Sequence, residues 1–247
     1  MAGHSKWANI KHRKALQDSK RGKTWTKLIR EVTVAARNGL PDVNTNPRLR
    51  IAVDKALSAN MQRDTVDRAI KRGAGAQEGE NYEEFRYEGY GPGGTAILVE
   101  CMSDNRNRTA SEVRYGFSRH GGNLGTDGSV AYLFSKTGIL SFAPGLSEDA
   151  LMEVALEAGA SDIVSNDDGS LDVTSTPEDF ARVRDAMTAA GFSPANAEIT
   201  FDARIRVAVA GEDAERLVKL VEALEDLDDV QNVYTNADLP EDLLEDG

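Results

Sequence analysis

Residues 138–201 read "GILSFAPGLSEDALMEVALEAGASDIVSNDDGSLDVTSTPEDFARVRDAMTAAGFSPANAEITF". Two helical periods alternate here with four short period-two segments. "GILSF" (138–142) is a strand, and Ser147 is the N-cap of a helix that runs to Ala158. "SDIVS" (161–165) and "SLDVTS" (170–175) are strands around Asp167-Asp168-Gly169. That is a hairpin signal, because a tight turn needs residues that tolerate positive φ. Thr176-Pro177-Glu178-Asp179 opens a second helix, with Phe180, Val183 and Met187 inward and Gly191 as its C-terminal stop. "AEITF" (197–201) closes the unit. The order is β-α-β-β-α-β, the ferredoxin-like split.

On each side of this stretch lies an unpaired half-unit. Before it, "EEFRYEGYG" and "TAILVECMS" are strands around a Gly/Pro turn, Gly91–Gly94. Thr109-Ala-Ser-Glu112 reads as a capping box opening a helix that reaches His120, with Val113 and Phe117 inward. A Gly-rich loop, Gly121–Gly128, leads to the strand "SVAYLFS". After the stretch come the strand "RIRVAVA", a helix from Gly211 to about Glu225 and the strand "VQNVYTN". The two halves are expected to complete one another, with strands 205–209 and 230–235 pairing with those at 82–102.

Towards the N-terminus the period changes to 3.6. Trp25, Leu28, Ile29, Val32, Ala35 and Ala36 make one apolar helix face over 23–38, ended by Gly39 and Pro41. Asn46-Pro47 is an N-cap and first-turn pair for a helix burying Leu49, Val53, Ala56 and Leu57. A third helix follows Asn60, with Met61, Val66, Ala69 and Ile70 inward and Arg63, Arg68, Lys71 and Arg72 outward, stopping at Gly73–Gly75. "GAGAQEGEN" (73–81) is a linker composition. The expected fold class is therefore α+β in three domains: an N-terminal three-helix domain and two ferredoxin-like α+β domains, one inserted in the other. The expected boundaries are a flexible basic arm at 1–21, a helical basic domain at 22–76, a discontinuous α+β domain at 80–135 plus 203–240, and the insertion at 136–202.

The charge is divided along the chain. Of 247 residues with a formal net charge of −12, residues 1–76 hold 17 Lys and Arg against 6 Asp and Glu. The remainder holds 12 against 35. Such an asymmetry points to a polyanion partner for the basic end, against the alternative of solvated helix faces. In the arm, Lys6, Lys11, Arg13, Lys14, Lys20 and Arg21 are spaced so as to meet successive phosphates, and Lys23 and Lys27 continue the series into the first helix. Trp7 and His12 lie between them, and rings of this kind stack on unpaired bases. The alternative for Trp7 is an anchor on the protein's own surface. These ten residues are the candidate nucleic-acid-binding set.

Other chemistry is sparse. Three histidines and one cysteine offer no metal-ligand spacing, and no metal or cofactor is expected. The single cysteine, Cys101, shares a strand face with Ile97 and Val99, reads as a buried thiol and fits a reducing compartment. "GYGPGG" joins strand to strand and "HGGNLGTDG" joins helix to strand. Neither has the strand-loop-helix order of a phosphate cradle, and both read as turns. "SDNRNRT" (103–109) is a polar cluster able to accept an anion, with capping and turn chemistry as the preferred reading. Acidic runs at 226–229 and 238–246 read as solvated faces. No apolar region follows the basic N-terminus as in a secretory signal, and no stretch is long enough to span a membrane, so the expected location is the cytoplasm.

"MAGHSKWANIKHRK" with "QDSKRGKTWTKLIREV", "NPRLR", "GYGPGGTAILVEC", "SDNRNRT" and "GGNLGTDGSVAYLF" resembles the YebC family over essentially the whole chain. Ser19, Trp25 and Gln62 stand where many members carry Ala, Phe and Pro. The resemblance implies a helical domain and two α+β domains, and a DNA-binding transcriptional regulator. It supplies no catalytic residue. Its mitochondrial relatives are translational activators of a cytochrome oxidase subunit, and bacterial ones are tied to the ribosome. The resemblance thus also carries an RNA- and ribosome-associated reading. The expected protein is no enzyme. Its partners are DNA and/or RNA, with the ribosome included, and no membrane. A hydrolase using a cleft between the α+β domains is the different-class alternative.

Overall fold

The computed structural model describes residues 21–75 and 82–240. The candidate residues Lys6, Trp7, Lys11, His12, Arg13, Lys14 and Lys20 lie outside the described residues. Three helices come first: α1 (Arg21–Arg37), α2 (Pro47–Ser58) and α3 (Arg63–Gly73). Then follow β1 (Glu83–Tyr90), β2 (Ala96–Ser103), α4 (Arg106–Arg119) and β3 (Asn123–Leu124). The next run is β4 (Phe134–Phe142), α5 (Glu148–Glu157), β5 (Asp162–Ser165), β6 (Leu171–Ser175), α6 (Phe180–Ala189) and β7 (Asn196–Ala203). The chain closes with β8 (Val207–Ala208), α7 (Gly211–Glu225), β9 (Val230–Thr235) and β10 (Ala237–Asp238). Helices and antiparallel sheets segregate as in an α+β protein.

In the helical unit the expected apolar faces meet. Val32, Ala35 and Ala36 of α1 pack on Leu49, Val53 and Ala56 of α2 and on Val66 and Ala69 of α3, with Trp25, Leu28 and Ile29 at the margin. Asn46 does two jobs. Its Oδ1 accepts from the Leu49 N–H at 3.0 Å and starts α2, while its Nδ2 donates to the Ala35 and Leu40 carbonyls at 2.9 and 2.8 Å and finishes α1. At Gly73, α3 lies against α1: a Cβ there would sit 2.2 Å from the Thr33 carbonyl oxygen.

The stretch 138–201 folds as its pattern predicts. The sheet order is β5-β6-β4-β7 with every neighbouring pair antiparallel, and α5 and α6 bury Leu151, Phe180, Val183 and Met187 against Leu140, Phe142, Leu171 and Val173. The other sheet, β3-β1-β2-β9, takes strands from both sides of that stretch. Phe117 of α4 and Leu217, Leu220 and Leu224 of α7 cover one face, over Ile97, Val99 and Cys101. Each fully buried side chain of this size contributes about 1.5–3 kcal/mol relative to exposure. A smaller cluster of Ala96, Leu98, Val130, Phe134, Ala203 and Tyr234 sits on the opposite face. Phe134 pairs with Ala203 there at the start of an eight-pair β4–β7 ladder that runs on into the second sheet's core.

Three local expectations are corrected. First, α4 opens at Arg106, earlier than a Thr109 cap would have it. The Asn105 side chain accepts from the Arg108 N–H at 3.0 Å, and Thr109 is buried inside the helix. Second, "SVAYLFS" is no separate strand. Residues 131–133 form a 3-10 turn, and the strand beginning at Phe134 is continuous with "GILSF". The Val130 and Ala131 N–H groups are bound by Glu88 and are withheld from any ladder. Third, "RIRVAVA" does not join the sheet at 82–102. Only Val207–Ala208 is extended, paired in parallel with β10: the Val207 and Val209 N–H groups go to the Asn236 and Asp238 carbonyls, and both edges of β2 are already taken by β1 and β9. Strand 230–235 does pair with β2.

Candidate nucleic-acid interface

Positive charge in the helical unit falls into two groups. The first lies along one stripe of α1, at the spacing 23, 27, 30. Lys23 Nζ donates to the Asp226 carbonyl at 3.0 Å and Lys27 Nζ to the Glu225 carbonyl at 2.5 Å. Arg30 Nη1 donates to the carbonyls of Met102 and Asp228, each at 2.8 Å. These carbonyls belong to the C-terminal end of α7, the loop after it and the end of β2. The last carbonyls of a helix lack internal partners and carry the negative end of its dipole, so the Lys23 and Lys27 ammoniums complement them. Burial, the largest influence, holds the Lys27 ammonium below its ordinary value, against the opposing effect of Glu225 and Asp226. Of the candidate residues, Lys23 and Lys27 are thus engaged with the protein's own acidic loop. Arg21 opens α1.

The buried centre of this junction is Asp229, 2 % exposed. Its carboxylate accepts from Arg108 Nη2 and Ser103 Oγ, both at 2.8 Å, and lies 2.8 Å from Thr109 Oγ1 and 3.5 Å from Arg30 Nη1. Burial works to raise its pKa, but the hydrogen bonds from Arg108, Thr109 and Ser103 win and hold it below the usual carboxylate range. The polar run 103–109 therefore caps α4 and also accepts an anion, one from its own chain. The Gly-rich loop behaves alike. Glu88, 8 % exposed, accepts from the N–H groups of Gly128, Val130 and Ala131, each at 2.7 Å. Burial opposes this, and the three N–H donors still hold the carboxyl low.

Nothing in the local sequence marks Glu88 or Asp229. Glu88 is one polar residue in an alternating strand, and Asp229 ends an acidic run that reads as solvated. The α1 docking did leave a trace. Val32 to Ala36 is uncharged all round the helix, and Thr33 and Val34 are 2 % and 1 % exposed, so the helix is covered on two sides. Cys101 is buried as expected, and burial pushes its thiol up to about 12.

The second group of cations faces solvent. On α3, Arg68, Lys71 and Arg72 are exposed at i, i+3 and i+4, on one helix face. Arg68 turns back to the Asp64 carbonyl and to Thr65 Oγ1. Lys71, Arg72 and Lys55 of α2 are exposed, and their side chains form no hydrogen bond or ion pair with described residues. Arg48 differs: it holds Glu31 at 3.0 Å and also Glu84, tying α2 to α1 and β1. The bond to Glu84 raises the guanidinium pKa, and Arg48 in turn holds the Glu84 carboxyl low. No helix among the described residues is long and apolar enough to cross a membrane, and no group of three or more His, Cys, Asp and Glu able to hold a metal is found among them.

Comparison with known proteins places this arrangement. Residues 5–76 match the family description "TACO1/YebC protein N-terminal domain", and residues 82–237 match "TACO1/YebC second and third domain". A probable transcriptional regulatory protein of Methylococcus capsulatus is 65% identical over 99% of this chain and 98% of its own length. One of Hahella chejuensis is 62% identical, again over 99% and 98%. The crystal structure of a conserved hypothetical protein from Aquifex aeolicus superposes with a TM-score of 0.83 at 46% identity, covering 96% of this chain and 98% of that one. With both family descriptions met end to end and such relatives along the full length, the chain belongs to the TACO1/YebC family.

Proposed function

We propose that this protein is a non-enzymatic nucleic-acid-binding regulator whose contacts with the polyanion come from residues 1–76. The observation that carries the reading is the division of charge: 17 Lys and Arg against 6 Asp and Glu in those residues, and 12 against 35 in the rest. A body of that sign repels phosphate over most of its surface, so the main contact falls at the basic end. In this reading Lys6, Lys11, Arg13, Lys14, Lys20 and Arg21 meet phosphates, Trp7 and His12 stack, and Lys71 and Arg72 of α3 extend the surface. Lys23 and Lys27 anchor the segment to the body. A regulator of transcription is the form that agrees with the names of the curated relatives. The non-catalytic reading is supported by the buried carboxylates. Asp229, Glu88 and Asp172 each accept hydrogen bonds from within the chain.

Binding measured as a function of salt tests this. With about six phosphates neutralised, log affinity falls against log salt with a slope of roughly −5 on duplex DNA and about −4 on single strands. Replacing Lys11, Arg13 and Lys14 together with Ala flattens the slope by about 2–3 units. An unchanged slope overturns the assignment to this end of the chain.

A further inference from the structure

The most exposed of the large apolar side chains among the described residues is Tyr132, 71 % exposed. It stands on the 3-10 turn Ala131–Leu133, and that turn is fixed on every side. Glu88 holds the N–H groups of Gly128, Val130 and Ala131. The Tyr90 hydroxyl donates to the Ser129 carbonyl at 2.9 Å, and the Gly125 N–H donates to the Glu88 carbonyl at 2.7 Å. The flanking residues Val130 and Phe134 are buried in the core. Beside the turn runs Arg204-Ile205-Arg206, joined to it by the bond from the Arg204 N–H to the Leu133 carbonyl at 3.0 Å. All three residues are exposed, Ile205 at 62 %. A single exposed ring on a loose loop needs no explanation. Here the backbone is immobilised by a buried carboxylate, and the segment bonded to it carries two guanidiniums in a half of the protein that is otherwise strongly acidic; Arg204 donates to Ser135 Oγ at 2.9 Å and Arg206 to the Asp202 carboxylate at 2.7 Å, surface contacts that a phosphate can replace.

We propose that Tyr132 is a stacking platform for an unpaired base of RNA, with Arg204 and Arg206 meeting the adjoining phosphates. Every base offers a π face, and an aromatic ring held in place loses little entropy on stacking. Duplex bases present no free face, so the platform selects loops and single strands. The inference rests on the nucleic-acid reading above and gives the middle unit a contact of its own, separate from the basic end.

The test uses the full-length protein and three probes: an RNA hairpin with an unpaired loop, a blunt RNA duplex and a DNA duplex. Tyr132→Ala weakens binding to the hairpin about 5- to 150-fold, the range of one lost base stack, and leaves both duplexes within twofold. Tyr132→Phe keeps the ring and restores hairpin affinity. The salt slope is unchanged in both, whereas Arg204→Gln with Arg206→Gln flattens it by about 1 unit on the hairpin. Ultraviolet crosslinking to the hairpin marks Tyr132. Hairpin affinity unchanged by Tyr132→Ala, or an equal loss on the duplexes, overturns this proposal and leaves the basic end untouched. Failure of the wild-type protein to bind any probe overturns the broader reading and this proposal with it.

Discussion

α1 and α3 are basic helices of the same three-helix unit, and they spend their charge differently. On α1, Lys23, Lys27 and Arg30 reach carbonyls at the end of α7 and in the loop beyond it, so the stripe that carries them is an internal joint. On α3, Lys71 and Arg72 point to solvent. A count of Lys and Arg treats the two helices alike. Two features separate them. α1 is apolar or uncharged on more than one side, so it is covered twice. Its cationic stripe also meets a helix end, where unpaired carbonyls give a cation a fixed seat. α3 is one-sided: Arg63 and Arg68 find partners only within α3 itself, at Asp67, Asp64 and Thr65, and none of its cations meets a helix end elsewhere in the described residues.

The largest break in this comparison is expected at the anchor. Asp229→Ala leaves Arg30 short of its buried counter-charge and deprives Ser103 and Thr109 of an acceptor, which costs about 3–5 kcal/mol in urea unfolding. The same variant loosens α1, so amine-reactive labelling of Lys27, slow in the wild type, rises to the rate of Lys71. Slow labelling of Lys27 in a destabilised variant breaks the comparison, since α1 is then held by something else. Glu88→Gln serves as the control. It weakens the hydrogen bonds under the Gly-rich loop and costs about 1–3 kcal/mol, yet leaves Lys27 protected.

These two carboxylates also set the acid limit. Both are held below their ordinary values when folded, so the stability they supply is fully present above the unfolded carboxyl pKa of about 4 and is lost as pH falls through the lower folded values. Unfolding free energy is expected to be flat in this contribution from pH 7 to 5 and to fall steeply below pH 4. The Glu88→Gln variant shows a shallower fall. An identical pH profile for variant and wild type contradicts the assignment.

Smaller effects sharpen the contrast. Lys27→Met removes one charged hydrogen bond but also one buried charge, and about 1 kcal/mol is expected. Lys71→Met changes stability by less than about 0.5 kcal/mol, as for an unpartnered surface residue. In nucleic-acid binding the order reverses. Lys71→Ala with Arg72→Ala flattens the salt slope by about 1–2 units, whereas Lys27→Met leaves it within error. A flatter slope for Lys27→Met shows that the α1 joint opens to let the polyanion in.

Most of the fold was legible because its signals are local. The cap at Asn46, the hairpin at Asp167-Asp168-Gly169 and the stop at Gly191 each set an element through neighbours within a few residues, and the β-α-β-β-α-β order follows from them. The misread segments are those whose backbone is bound at long range. "SVAYLFS" has a strand's composition, but Glu88, some forty positions away, takes the N–H groups a strand would use. "RIRVAVA" alternates as a strand does, yet its Val207 and Val209 N–H groups go to the Asn236 and Asp238 carbonyls, and both edges of β2 are already taken. The candidate site divides the same way. The basic end is visible in composition. That Lys23 and Lys27 turn inward depends on where α7 ends, about 200 residues later, and no local pattern encodes that.

The β4–β7 ladder has a mechanical meaning. Two domains joined by a single flexible strand of chain drift independently. Here the join is a pair of antiparallel strands, with Phe134 and Ala203 in one core and Leu140 and Ala197 at the other, and backbone hydrogen bonds between them along the way. A pair of strands bonded edge to edge resists bending within its own plane as a beam does. A load applied at the Tyr132 turn is therefore carried into the β5-β6-β4-β7 sheet without slack. The β3-β1-β2-β9 and β5-β6-β4-β7 sheets are therefore expected to move as one piece.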